Sequence, residues 1–201
     1  MSTVAVIDYG MGNLRSVSRA MVAAGADAFL AATPQAAEKA EAVVFPGQGA
    51  MADCMGCIRR NDFEVFIKAW IAADRPFLGV CMGLQVLFER SEEADVPGLG
   101  VFPGLVTRFP SQPGLRIPHM GWNAITAVRD NPLLSGVNGQ DFYFVHTYAA
   151  DDSDATLARC THGQAFPAVV RSENFYGVQF HPERSGPQGS RLLANFLGIT
   201  A

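Results

Sequence analysis

The chain has 201 residues, 49% of them apolar, with a formal net charge of −4 and no block of like charges. That length favours one domain over residues 1–201 with a sizeable core, and the weak negative charge excludes bulk electrostatic capture of nucleic acid or anionic membrane. No stretch approaches the roughly 20 apolar residues that span a bilayer, no basic-then-apolar leader opens the chain, and Cys54, Cys57, Cys81 and Cys160 lack a secretory context, so a cytoplasmic protein with reduced thiols is expected.

Residues 3–8 form a nearly continuous apolar run, which suits a strand covered on both faces. It ends at Tyr9-Gly10. Asn13 then stands where an N-cap would, and Leu14, Val17, Ala20, Met21 and Ala24 follow at helical spacing until Gly25 supplies a stop. The pattern recurs: a strand at 27–30, a short helix at 34–40, and a strand at 42–45 running into Pro46-Gly47-Gln48-Gly49. An amphipathic helix follows at 62–73, with Phe63, Phe66, Ile67 and Trp70 as core, then a buried strand at 76–81.

From residue 97 onward Pro and Gly are frequent, and strand-like segments at 105–109, 122–128, 142–148, 156–161 and 168–171 predict a more antiparallel second half. Residues 176–180 read as a late buried strand and 189–197 as a closing helix. Together these elements predict an α/β fold: a central, mostly parallel sheet flanked by helices, with right-handed crossovers and an additional antiparallel portion.

The segment Gly79-Val80-Cys81-Met82-Gly83 joins an apolar strand to a helix-forming run, with glycine two positions to each side of a potential nucleophile. A tight, strained strand-to-helix turn needs those glycines because side chains there would clash, and it exposes the thiol at the carboxyl end of the sheet. On its own the motif fits an inert buried cysteine equally well. His181-Pro182-Glu183 changes the balance. Residues two apart on an extended segment point the same way, so Glu183 can hold one imidazole nitrogen while the other faces the thiol.

Four further segments accompany these motifs: Asp8-Tyr9-Gly10-Met11-Gly12-Asn13-Leu14, Pro46-Gly47-Gln48-Gly49-Ala50, Pro118-His119-Met120-Gly121-Trp122-Asn123 and Tyr143-Phe144-Val145-His146-Thr147-Tyr148. With them the chain resembles class I, triad-type glutamine amidotransferases, and among these the glutaminase subunits of imidazole glycerol phosphate synthase, an enzyme of histidine biosynthesis. The resemblance implies a flavodoxin-like amidotransferase fold, with Cys81 as nucleophile, His181 as base and then acid, and Glu183 as orienter. It also implies an oxyanion hole from Gly49 and Met82, and substrate glutamine held by Gln85 and the backbone of His146, Thr147 and Tyr148. Asn13, Pro118, His119, Met120, Gly121, Trp122 and Asn123 would face a cyclase subunit, a (β/α)8 barrel that completes a heterodimer and takes up the released ammonia; read without the resemblance, His119 and Trp122 would instead be core residues of a hairpin. Its products would be imidazole glycerol phosphate and aminoimidazole carboxamide ribotide. No metal or organic cofactor is implied. Gln48 stands where the family usually has valine, and Arg184 where lysine is common.

Two other functions use the same residues: a γ-glutamyl hydrolase or peptidase on this scaffold, and a catalytically silent binding subunit. Cys54-Met55-Gly56-Cys57 lacks the second ligand pair that zinc needs and reads as two small residues one helical turn apart. Gly10-Met11-Gly12 lacks the third glycine of a dinucleotide fingerprint, Arg15 occupying its place. His162 reads as part of a turn at Thr161-His162-Gly163 and carries no assigned role.

Overall fold

The computed structural model describes residues 1–200. In chain order the first half contains β1 (Thr3–Ile7), α1 (Leu14–Ala23), β2 (Asp27–Ala31), α2 (Pro34–Ala37), β3 (Ala42–Gly47), α3 (Met51–Arg60), α4 (Phe63–Ala72), β4 (Phe77–Cys81) and α5 (Met82–Gln85). The second half contains β5 (Phe88–Ser91), β6 (Val96–Pro97), β7 (Phe102–Arg108), β8 (His119–Ala124), β9 (Thr126–Ala127), β10 (Asp141–His146), β11 (Tyr148–Ala150), β12 (Thr156–His162), β13 (Gln164–Ser172), β14 (Phe175–Val178) and α6 (Gly186–Ile199).

Alternation along the buried strands sets the layering. In β1, Val4 and Val6 enter one apolar core while Ala5 and Ile7 enter another. In β3, Ala42 and Val44 divide from Val43 and Phe45 in the same way, and in β4 Leu78 and Val80 divide from Phe77. Strands buried on both faces need a helical layer on each side. Val17 and Met21 of α1 with Leu192 and Phe196 of α6 cover the first core. Met55 and Ile58 of α3 with Phe63, Ile67 and Trp70 of α4 cover the second. Full burial of each such side chain contributes about 1.5–3 kcal/mol.

The main sheet has eight strands in the order β2-β1-β3-β4-β14-β13-β12-β9. β2, β1, β3, β4 and β14 run parallel, whereas β13, β12 and β9 pair antiparallel. The strand order reverses beside β1, so the carboxyl ends of β1, β3, β4 and β14 border one crevice, the usual place for a ligand in an open α/β sheet.

Differences from the sequence expectations have local causes. The segment 142–148 divides into β10, paired with β8, and β11, paired with β7 in another sheet; the break falls at Thr147, whose carbonyl accepts the Phe109 N–H at 3.1 Å. Likewise, β8 begins earlier than residue 122 and stops before β9 joins the main sheet. Strands β5 and β6 have no counterpart in the periodicity reading. Asn13 does precede α1, but its side chain makes no capping hydrogen bond. Thr33 does cap α2, its hydroxyl accepting the Ala36 N–H at 3.2 Å. Among the described residues no helix is long and apolar enough to cross a membrane.

Candidate active site

β4 ends at Cys81, whose backbone sits at φ 56°, ψ −109°, before α5 starts at Met82. Positive φ on a residue with a Cβ is strained, and tight packing around the turn maintains it. A Cβ on Gly79 would overlap the Gly83 carbonyl oxygen, and one on Gly47 would lie 2.6 Å from both the Gly83 nitrogen and the Met82 Cβ. The spacing of these glycines therefore follows from backbone contact between the elbow and β3. The thiol emerges nearly buried, at 7% exposure.

Beyond β14, His181 and Glu183 meet as their spacing suggests. Since a carboxylate only accepts, His181 donates its Nδ1–H to Glu183 Oε1 at 2.9 Å. That leaves Nε2 buried without a hydrogen-bond partner. Burial alone would lower the imidazole pKa, but the adjoining Cys81 thiol and the Glu183 carboxylate reverse that and raise it to about 10. Ser185 fixes the turn, donating its hydroxyl to the His181 carbonyl at 2.6 Å and accepting the Tyr143 N–H at 3.0 Å.

Cys81 and His181 open onto a cavity of about 310 Å³ also lined by Gly49, Met82, Gln85, His146, Thr147 and Tyr148. Gly49 takes φ 85°, which lets the loop after β3 fold beside the thiol. As the first residue of α5, Met82 has no intrahelical acceptor for its N–H. The Gln85 side chain donates to the Tyr148 carbonyl at 2.9 Å, so its amide braces the cavity wall. Gln48, Pro118 and Arg184 also line the cavity.

Two residues escaped the sequence reading. Glu93 places a carboxylate on the cavity wall, accepting the Met51 N–H at 2.6 Å. Gln179, with no exposed surface, accepts from Gln85 Nε2 at 3.0 Å and extends its own Nε2–H towards Cys81 Sγ at 3.8 Å. Its available signal was an amide inside an otherwise apolar strand segment.

The hairpin of β8 and β10 sorts its residues by alternation. Met120 and Trp122 point outward, 63% and 55% exposed, with Pro118 also exposed. His119, expected to face a partner, is instead 4% exposed and turned inward, on the same strand face as Gly121 and Asn123. His162, given no role, stacks on it with ring centroids 4.2 Å apart. Cys54 lies buried on α3 and donates its thiol to the Tyr9 hydroxyl at 3.4 Å; Cys57, one turn on, accepts from Arg60 at 3.0 Å.

This geometry provides a thiol, an imidazole with its orienting carboxylate, and backbone N–H groups around one small cavity, a set suited to acyl transfer from an amide. The family model of glutamine amidotransferase class-I matches residues 5–199. Imidazole glycerol phosphate synthase subunit HisH of Aromatoleum aromaticum is 46% identical over 209 residues, covering 98% of each chain. The HisH subunit of Nitrosococcus oceani is 48% identical over 204 residues, covering 98% of this chain and 97% of its own. That of Methanothermobacter thermautotrophicus is 44% identical over 198 residues, covering 98% of each. Among solved structures, a glutamine amidotransferase superposes with a TM-score of 0.76 at 21% identity, covering 98% of both chains. PurLQS from Thermotoga maritima also gives 0.76, at 18% identity, covering 98% of this chain and 99% of that one; both share the fold. The chain belongs to the class-I glutamine amidotransferases and, within them, to the HisH subunits of imidazole glycerol phosphate synthase.

Proposed function

We propose that this chain hydrolyses glutamine to glutamate and ammonia as the glutaminase subunit of an imidazole glycerol phosphate synthase, working through a glutamyl thioester on Cys81. The observation that carries the reading is the shared cavity of Cys81 and the His181–Glu183 pair, with His181 Nε2 free of other partners. Cys81 gives its proton to His181 Nε2, and the sulfur adds to the carbon of the substrate's side-chain amide. The tetrahedral oxyanion is held by N–H groups of Met82 and the Gly49 loop. The C–N bond then breaks as His181 returns the proton to the departing nitrogen, releasing ammonia. A water, deprotonated by His181, attacks the thioester, and glutamate leaves as the thiol is restored.

Substrate placement follows from charge. Glu93 suits the α-ammonium of glutamine, and backbone N–H groups at Thr147 and Tyr148 suit its α-carboxylate. Ammonia loses its nucleophilicity once protonated, so transfer to a second active site requires a sheltered route. The exposed Met120 and Trp122, beside Pro118 at the cavity mouth, supply an apolar docking face for a cyclase subunit of (β/α)8 form. Asn13, in the loop between β1 and α1, is read as part of the same docking face on the strength of the family resemblance alone. The cysteines, all free, support a cytoplasmic setting.

The test is glutamate release from glutamine by the purified chain, alone and with the cyclase subunit and its nucleotide. Release should rise in the complex and fall by about 10³-fold or more in Cys81→Ala. Turnover that persists in Cys81→Ala, or a preference for γ-glutamyl peptides over glutamine, would defeat the proposal.

A further inference from the structure

Three of the four histidines, His119, His146 and His162, gather around Phe109 between the β8–β10 hairpin and the glutamine cavity. His119 and His146 are 4% and 6% exposed. Their hydrogen bonds run in one direction, fixed from the outer end. Asn123 Oδ1 accepts the Ala124 N–H at 2.9 Å, and its Nδ2 donates to the Thr161 carbonyl at 2.8 Å, so that the amide can only donate to His119 Nε2, 3.3 Å away. His119 therefore carries its proton on Nδ1 and donates it to His146 Nε2 at 3.0 Å. His146 in turn donates Nδ1–H to the Tyr148 carbonyl at 2.8 Å. The Tyr148 carbonyl also receives the Gln85 amide, whose nitrogen bonds Gln179, which reaches Cys81 Sγ.

Buried neutral imidazoles bring no stability that well-packed apolar rings would not supply, since each net hydrogen bond contributes only about 1 kcal/mol after desolvation. What a directional pair supplies is position. Phe144 stacks on His119 at 4.8 Å and Phe166 packs edge-on to both rings, so the pair has little room to shift independently.

We infer that His119 and His146 are positioning residues that tie the docking hairpin to the Tyr148 carbonyl and so hold the glutamine-binding wall in register with Cys81. This rests on the glutaminase reading above. Neither ring touches the reacting atoms in this role; they act through Tyr148, Gln85 and Gln179.

His119→Phe keeps an aromatic ring for stacking and deletes both hydrogen bonds. In the complex with the cyclase subunit it should raise KM for glutamine by about tenfold, with a smaller change in kcat. A second readout separates positioning from general damage: inactivation of Cys81 by a glutamine-shaped chloroketone should slow by about tenfold, while alkylation by iodoacetamide, which needs only an accessible thiol, should change by less than about threefold. Equal slowing with both reagents, or no slowing with either, would overturn the inference. If His119→Phe does not fold, Asn123→Ala removes the donor that sets the ring and decides by the ratio of the same two rates, the chloroketone slowing by about threefold while the iodoacetamide rate stays unchanged. Failure of the wild-type chain to react with the chloroketone at Cys81 would instead contradict the glutaminase reading itself.

Discussion

Gly83 lies so close to Phe45 that a Cβ added to it would overlap the Phe45 carbonyl oxygen. The contact crosses from the start of α5 to β3 and clamps the elbow that presents Cys81 against the strand feeding the Gly49 loop. Gly83→Ala must push the two elements apart. It should cost about 1–3 kcal/mol or more, seen as a fall in Tm of roughly 3–10 °C, and lower glutamine turnover by about 100-fold. Thermal unfolding and a glutaminase assay on the same sample check both effects.

Glu183 is the anion on the far side of His181, and its carboxylate is 1% exposed. Glu183→Gln keeps the shape and removes the charge, leaving Cys81 as the remaining neighbour that favours the imidazolium. Turnover should drop by about 100-fold with KM for glutamine changed less than about threefold, and the alkaline limb of kcat should move to lower pH. A pH–rate profile of the variant complex measures all three.

Stability should depend on pH in two opposite ways. Burial, reinforced by neighbouring His162, lowers His119 to about 4, and burial lowers His146 to about 3 despite the Tyr148 carbonyl, so both folded rings bind protons more weakly than an unfolded imidazole near 6.5. Their contribution is intact above about pH 6.5 and is lost as pH falls through the folded values. His181, raised to about 10, contributes fully below about 6.5 and loses that contribution as pH rises towards 10. Urea unfolding at pH 7 and pH 5 tests the acid side. The wild-type chain should lose about 2 kcal/mol more than His119→Phe over that interval.

Gln48 lines the cavity beside Gly49, but in the proposed mechanism the oxyanion is held by backbone N–H groups. Gln48→Val, which removes the polar side chain, should leave turnover in the complex within about threefold. A loss above about tenfold would show that the Gln48 side chain itself binds substrate or transition state.

The elbow is legible in the sequence because backbone contact allows so few residues there: glycines at 79 and 83 around a cysteine have a steric cause that spacing exposes. The parallel half is legible for a similar reason, since strands buried on both faces read as unbroken apolar runs. The second half is less so. Strands β5 and β6 are only four and two residues long, below what period-two patterning resolves, and Thr147 changes sheets within what reads as one strand. Glu93 and Gln179 become visible only when the fold closes a cavity around them. His119 and Trp122 show the same limit: the residues alone suggest a hairpin core for both, yet they lie on opposite strand faces, and the packing of His119 on Phe109 and Phe166 decides which face is inside.

Trapping the proposed covalent intermediate at Cys81 is the most direct test of all. Acid-quenched intact-mass spectrometry of the complex during glutamine turnover should find the chain carrying one glutamyl group, mapped by peptide digestion to Cys81 and absent from Cys81→Ser. Sustained glutamate release with no acyl-enzyme detectable, or with the label on Cys57, would contradict a Cys81 thioester.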